Sequence, residues 1–214
     1  KYSRKYCIGT IEGDIEKDVW ENRLKGETYD YIIFADVLEH LHNPQEVLIR
    51  VKSYLKDTGS IILSTPNLAH NAIILKLFNH QFEYQEIGLL DKTHIHFFTY
   101  HSLKNMIRNS GYICEQEKAT YCDTEHTELG ASFEEIPMDM RKFIRNRKYG
   151  NAYQFVFRVR KKQETEENEV SITQGDERDL EYRFKCYYKC SYYSWFYAAS
   201  RTDCGIHRPC KQGL

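Results

Sequence analysis

The sequence predicts an α/β domain built on a largely parallel sheet and followed by a tail of different character. Three observations carry this. Two apolar runs, YIIFA (31–35) and SIILSTP (60–66), flank an amphipathic helical stretch, and strand, helix, strand with short connections is the pattern of a parallel crossover. Tyr153, Phe155, Phe157 and Val159 then alternate with Gln154, Val156, Arg158 and Arg160, which reads as a closing antiparallel strand. Beyond residue 163 the stretch KKQETEENEVSITQGDERD is charged and poor in large apolar groups.

In chain order, CIGTIEGD (7–14) is expected to be a short strand ending in an acidic turn, and 17–28 a polar, partly helical connection. YDYIIFAD (29–36) is nearly continuously apolar, the mark of a strand buried on both faces. Leu38, Leu41, Val47, Leu48, Val51 and Leu55 give a helix in two pieces, interrupted at Asn43-Pro44, with Asn43 as cap of the second. Asp57-Thr58-Gly59 is a turn, and 60–66 a second buried strand. A short apolar helix over 72–78 and a long irregular segment over 82–98 follow. A helix opening at Thr99 or Tyr100 stops at Gly111, and 112–121 is a strand.

The 214 residues fit one domain with an extension. We divide them into a domain over 1–162, a charged linker over 163–181 and a Tyr/Cys-rich tail over 182–214 to which no structure is assigned. A formal net charge of −1 gives no electrostatic reason to expect nucleic acid or an anionic membrane as partner. The basic clusters RKFIRNRK (141–148) and RVRKK (158–162) read as solvated faces. No apolar run approaches the roughly 18–20 residues of a membrane span, and KYSRKYC does not open a signal peptide, so a cytoplasmic protein is expected. Of the seven cysteines, Cys7, Cys114 and Cys122 fit that expectation as reduced thiols; the other four crowd into the tail, where C-x3-C and C-x5-C depart from zinc-knuckle spacing. The start at Lys1 rather than Met suggests a piece of a longer chain.

Four segments in order, GD (13–14), YDYIIFADVLEHLHNP (29–44), LKDTGSIILSTPN (55–67) and GLLDKTHIHFFTYHSLKNMIRNSGY (88–112), resemble class I S-adenosylmethionine-dependent methyltransferases, over about residues 5–160. The nearest branch is that of ubiquinone-type O-methyltransferases. The resemblance implies a Rossmann-like sheet, S-adenosylmethionine as cofactor, and methyl transfer to oxygen of a small molecule or glycan. It also implies a glycine-rich loop after the first strand and an acidic residue ending the second. Neither is found here, and Gly9 to Gly13 fall in the family's third strand, so the sheet is expected to lack its first two strands and part of the cofactor pocket. The alternative is a non-catalytic, methyltransferase-like scaffold or partner-binding module.

By the same resemblance Asp14 and Ile15 lie beside the adenine, and Ala35 and Asp36 line the methionine end of the cofactor. Asp14 as a plain turn residue is the competing reading. Asp36, Glu39 and His40, three and four apart, are expected on one helical face. In small-RNA 2′-O-methyltransferases such a pattern, joined by a later histidine, binds a divalent metal. HIHFFT (94–99) supplies His94 in that position, so Asp36, Glu39, His40 and His94 form a candidate set for magnesium, manganese or zinc. Two other readings stay open. One has Asp36 as helix cap, Glu39 on amides or cofactor, and His40 or His94 as general base. The other makes His40 structural. The acceptor pocket is expected from 67–97, with Asn67 and Asp91 as acceptor contacts, Asp91 equally suited to pinning its loop.

Overall fold

The computed structural model describes residues 9–17 and 20–163, and the backbone of 195–199. Its sheet has the order β3-β4-β2-β1-β5. The strands are β1 (Tyr29–Ala35), β2 (Leu55–Pro66), β3 (Tyr112–Tyr121), β4 (Ala152–Lys161) and β5 (Trp195–Ala199). The helices are α1 (Pro44–Val51), α2 (Asn71–Phe78), α3 (Tyr100–Asn109) and α4 (Met138–Arg145). β1 and β2 are parallel, while β4 runs antiparallel to both β2 and β3. This is the Rossmann-like α/β arrangement that the resemblance implies, with a mixed rather than largely parallel sheet: among the described pairings only β1–β2 is parallel.

Burial explains which residues form which element. Ile32 and Phe34 of β1, Ile61 and Leu63 of β2, and Phe155, Phe157 and Val159 of β4 point to one face, where they meet Val47, Leu48 and Val51 of α1 and Leu103 and Ile107 of α3. β1 alternates between buried and half-buried positions rather than being buried on both faces, because Tyr31 and Ile33 look to the side that this core does not cover. On the other side of the site, α2 packs Ala72 and Leu75 against Phe133, Ile136 and Ile144. Its Ile73 meets Leu89 and Leu90.

Local signals account for the boundaries. Thr99 and Ser102 form a reciprocal capping box at the start of α3, and Gly111 follows its end at φ +78. Pro44 opens α1 at its first turn, but the Asn43 side chain makes no cap hydrogen bond; the Asn43 amide is instead held by Glu16. α2 is capped by His70, whose Nδ1 accepts from the Ala72 amide.

Three expectations are corrected. Of the strand expected over 7–14, residues 9–14 form none and are exposed, with no ladder partner among the described residues; the outer edge of β1 pairs antiparallel with β5, from the tail left unassigned. Residues 57–59 are not a free turn: β2 begins at Leu55, and its register jumps from Leu55 opposite Tyr29 to Ser60 opposite Tyr31. Gly59 is required there, since a Cβ would lie 2.9 Å from the Asp30 carbonyl. Asp36 to His40 do not form an α-helix but a left-handed residue followed by a 3-10 turn, Leu38–His40. The linker and most of the tail, with Cys186, Cys190, Cys204 and Cys210, lie outside the described residues, as does Cys7; Cys114 and Cys122, both half-buried, form no disulfide among the described residues. No described helix is long and apolar enough to cross a membrane.

Candidate functional site

The C-terminal end of β1 is the carboxyl edge of the parallel pair, where open α/β sheets bind ligands. Ala35 ends the strand, and Asp36 turns the chain at φ +53, in the left-handed region that non-glycine residues seldom adopt. Its amide donates to Ser64 Oγ at 3.2 Å, and that hydroxyl donates back to Asp36 Oδ1 at 3.0 Å. The Gln154 side-chain amide also donates to Oδ1. Asp36 is therefore held by β2 and β4 together. It caps no helix: the 3-10 turn starts at Val37 without a side-chain cap.

The turn aims Glu39 inward. Its side chain is 1% exposed, and among the described residues neither carboxylate oxygen has a hydrogen-bond partner. Burial, then the neighbouring Asp36 and Asp91 charges, push its carboxyl well above the ordinary range. Its backbone carbonyl accepts from the amides of Ile95 and His96 at 2.8 and 2.9 Å, which ties the 93–96 loop to the turn. His94 thereby comes to His40, ring centroids 4.8 Å apart, and one ligand atom from each of Glu39, His40 and His94 falls within 4.8 Å of the others. Burial and the adjacent His40 push the His94 imidazole down to about 4, against the opposing pull of Asp91 and the Leu89 carbonyl.

Three of the four predicted ligands thus converge, and Asp36 is not among them; Ser64 and Gln154 both bind its Oδ1. Residues 14–16 dock beside the same rim. Glu16 accepts from the His42 and Asn43 amides at 3.1 and 2.7 Å, and Ile15 packs against the main core. Asp14 closes its own turn, Oδ1 accepting from the Glu16 amide at 3.0 Å with Lys17 paired at 3.0 Å; Lys17 and that amide hold its carboxyl below the usual range.

Asn67, expected at the acceptor, has its side chain committed within the chain. It is 1% exposed, donates to the Tyr149 and Ala152 carbonyls and accepts from the Ala69 amide, so it clamps β2 to the segment before β4. Asp91 pins its loop, Oδ1 accepting from the Thr93 amide at 2.8 Å and from Thr93 Oγ1 at 2.6 Å. Ser64, Gln154, Glu16 and Thr93 carry no local sequence signal of a role at the site. Ser64 and Thr93 lie inside the segments LKDTGSIILSTPN (55–67) and GLLDKTHIHFFTYHSLKNMIRNSGY (88–112), where the resemblance implies no role for either.

A model of a methyltransferase-domain family matches residues 9–117, half of the chain, and includes the whole rim from Asp14 to His94. The chain belongs to that methyltransferase family. S-adenosylmethionine is the methyl donor that membership implies, and an enzyme is favoured over a scaffold. No curated protein matches the sequence. Among solved structures, a SAM-dependent methyltransferase from Thermotoga maritima is 16% identical, covering 75% of this chain and 67% of that one, with a TM-score of 0.48. One from Archaeoglobus fulgidus is 19% identical, covering 74% of this chain and 71% of that one, with a TM-score of 0.44.

Proposed function

We propose that this methyltransferase domain passes the methyl group of S-adenosylmethionine to oxygen of a small-molecule or glycan acceptor. In this reading Glu39, His40 and His94 hold a divalent cation beside the acceptor. The observation that carries the cation is Glu39: a carboxylate buried with both oxygens unpartnered costs free energy unless a charge meets it. Two imidazoles and one carboxylate are a donor set known for catalytic sites with an open position, suited to zinc, manganese or magnesium. A bound divalent cation supplies Lewis acidity that eases loss of a hydroxyl proton.

The chain's own residues do the rest by placement. Asp14, Ile15, Ala35 and Asp36 line the donor along the rim. Asp36 offers its second carboxylate oxygen there because Ser64 and Gln154 occupy only the first. Transfer from a sulfonium needs alignment and a deprotonated nucleophile more than a dedicated catalyst. With no cation bound, His40 is the imidazole left to accept that proton, since His94 at about 4 is too weak a base near neutral pH.

The acceptor side is lined by rings. Phe82 and Tyr84, 45% and 58% exposed, stand 5.5 Å apart; Tyr84 reaches Phe97 at 6.4 Å, and Phe97 reaches His94 at 6.0 Å. This ribbon runs from the surface to the Glu39 cluster and suits an acceptor with an apolar or ring face. The test is calorimetric titration of S-adenosylmethionine, then transfer of labelled methyl to a panel of hydroxylated acceptors after chelation and after manganese or zinc is restored. Donor binding with cation-dependent transfer is expected. A chain that binds no donor, or that methylates equally well in chelator, overturns the corresponding half.

A further inference from the structure

We infer that Asp91 and Thr93 are positioning residues that fix which nitrogen of His40 carries the proton. The inference rests on the reading of His40 as a working imidazole, but its central claim concerns hydrogen bonds within the chain. His40 Nδ1 lies 3.1 Å from the Thr93 carbonyl oxygen and 3.2 Å from Thr93 Oγ1. A carbonyl oxygen only accepts. The Thr93 hydroxyl hydrogen is directed to Asp91 Oδ1 at 2.6 Å, which leaves an Oγ1 lone pair toward the imidazole. Both neighbours of Nδ1 therefore accept, and Nδ1 must donate. The neutral ring is the Nδ1–H tautomer, with its Nε2 lone pair bare.

The direction of that lone pair gives the arrangement its use. The His40 ring lies 4.8 Å from that of His94, centroid to centroid, and offers one nitrogen to the cluster with Glu39 and His94; with Nδ1 engaged by Thr93, we assign that nitrogen as Nε2. A ring nitrogen with a lone pair there is what either a cation or an acceptor proton requires, and a backbone carbonyl on the opposite nitrogen is the usual means of setting it. Thr93 is exposed, so water competes for its carbonyl unless the loop is held. Asp91 supplies the hold. It binds both the amide and the hydroxyl of Thr93, closing an Asx turn that presents carbonyl and Oγ1 to His40 together. Of the two roles that the sequence leaves open for it, Asp91 takes the loop-pinning one, a step removed from the acceptor.

The test is long-range proton–nitrogen NMR on the full, chelator-treated chain labelled with nitrogen-15. It is run at mildly alkaline pH, with His40 identified by the signal that His40→Gln removes. We expect protonated Nδ1 and bare Nε2 in the wild type, a mixture of tautomers in Asp91→Ala, and recovery in Asp91→Asn, which keeps an acceptor for Thr93. Cobalt(II) affinity should fall about 10-fold in Asp91→Ala, the usual effect of losing such a partner, and return in Asp91→Asn. Thr93→Val, which removes the hydroxyl and keeps the carbonyl, should shift the tautomer less and in the same direction, and it serves if Asp91→Ala does not fold. A wild-type His40 protonated at Nε2, or a tautomer unmoved by every variant, overturns the inference. Should the tautomers behave as stated while cobalt fails to bind the wild type, the cation reading falls and the positioning role stands.

Discussion

Gln154 of β4 reaches across β2 and donates its side-chain amide to the carboxylate of Asp36 at the end of β1. With Ser64 on the intervening strand, it holds a residue whose backbone sits at φ +53. A left-handed non-glycine residue costs on the order of 1–3 kcal/mol, so the contacts that retain it are set against a measurable strain. Asp36→Gly should consequently fold at least as stably as the wild type while binding S-adenosylmethionine more weakly. Asp36→Ala should lose on both counts. Gln154→Ala, which leaves Asp36 in place but frees its carboxylate, should weaken donor binding about tenfold, near the worth of one hydrogen bond to a charged group. Paired calorimetry and thermal melts separate the three variants, and a more stable Asp36→Ala would contradict the strain argument.

How much of this was readable depends on range. The α3 cap at Thr99 and the alternation of Phe155, Phe157 and Val159 are local, and the structure places them as the pattern predicts. The convergence of Glu39 and His40 with His94 follows the two short motifs that hold them, though the same reading misplaced Asp36. Its error has a physical source. Spacings of three and four imply one face only in a regular helix, and the left-handed turn at Asp36 removes that premise. Ser64 and Gln154 are 28 and 118 residues from Asp36, and only strand pairing brings them together. Nothing within a window of the sequence reports such a contact.

The Glu39 cluster should make thermal stability depend on divalent cations. A ligand that binds only the folded chain stabilises it by about 2.7 kcal/mol at a hundred times its dissociation constant. Manganese or zinc added to chelator-treated protein should raise the melting temperature, and His94→Ala or Glu39→Gln should abolish the rise. An equal rise in these variants would assign the effect to another site.

His94 fixes a pH dependence of definite sign. Its value is depressed from 6.5 to about 4 in the folded chain, first by burial and then by His40. Between those values the unfolded chain binds more protons, so this contribution to stability is complete above the unfolded value and is lost as pH falls toward 4. In chelator, the wild type should therefore lose more stability than His94→Gln between neutral pH and pH 5. Parallel melting curves of the two check this, and equal losses would overturn the assignment.

The loop that carries His94 begins at a glycine with no alternative. Gly88 adopts φ +97, and a Cβ there would lie 2.3 Å from the Glu128 carboxyl carbon. Glu128 accepts from the Leu89 amide and from the Tyr153 hydroxyl, which anchors the start of the loop to β4. Gly88→Ala should destabilise by about 1–3 kcal/mol, the cost of a strained backbone position. It should also blunt the cation response, because His94 moves with the loop. Unchanged melting and cation binding in Gly88→Ala would show that Glu128 yields at little cost.

Glu39 offers the sharpest separation of stability from function. Its carboxyl is raised by burial and by the Asp36 and Asp91 charges, so the folded chain favours the protonated form. The folded state binds more protons than the unfolded one above the ordinary glutamate value, and stability falls as pH rises from there through the folded value. Glu39→Leu removes the titrating group and the two unpartnered oxygens while keeping a side chain of similar size at the buried position. In chelator it should be more stable than the wild type by on the order of 1–3 kcal/mol, the cost of a buried polar group without a partner. That corresponds to about 2–4 °C in melting temperature per kcal/mol for a chain of this length. The gap should widen between pH 5 and pH 8, and the cation response and methyl transfer should both be lost. A variant that is destabilised at pH 8 would mean that the carboxylate has a role in the fold itself, and the cluster would cease to be evidence for a ligand.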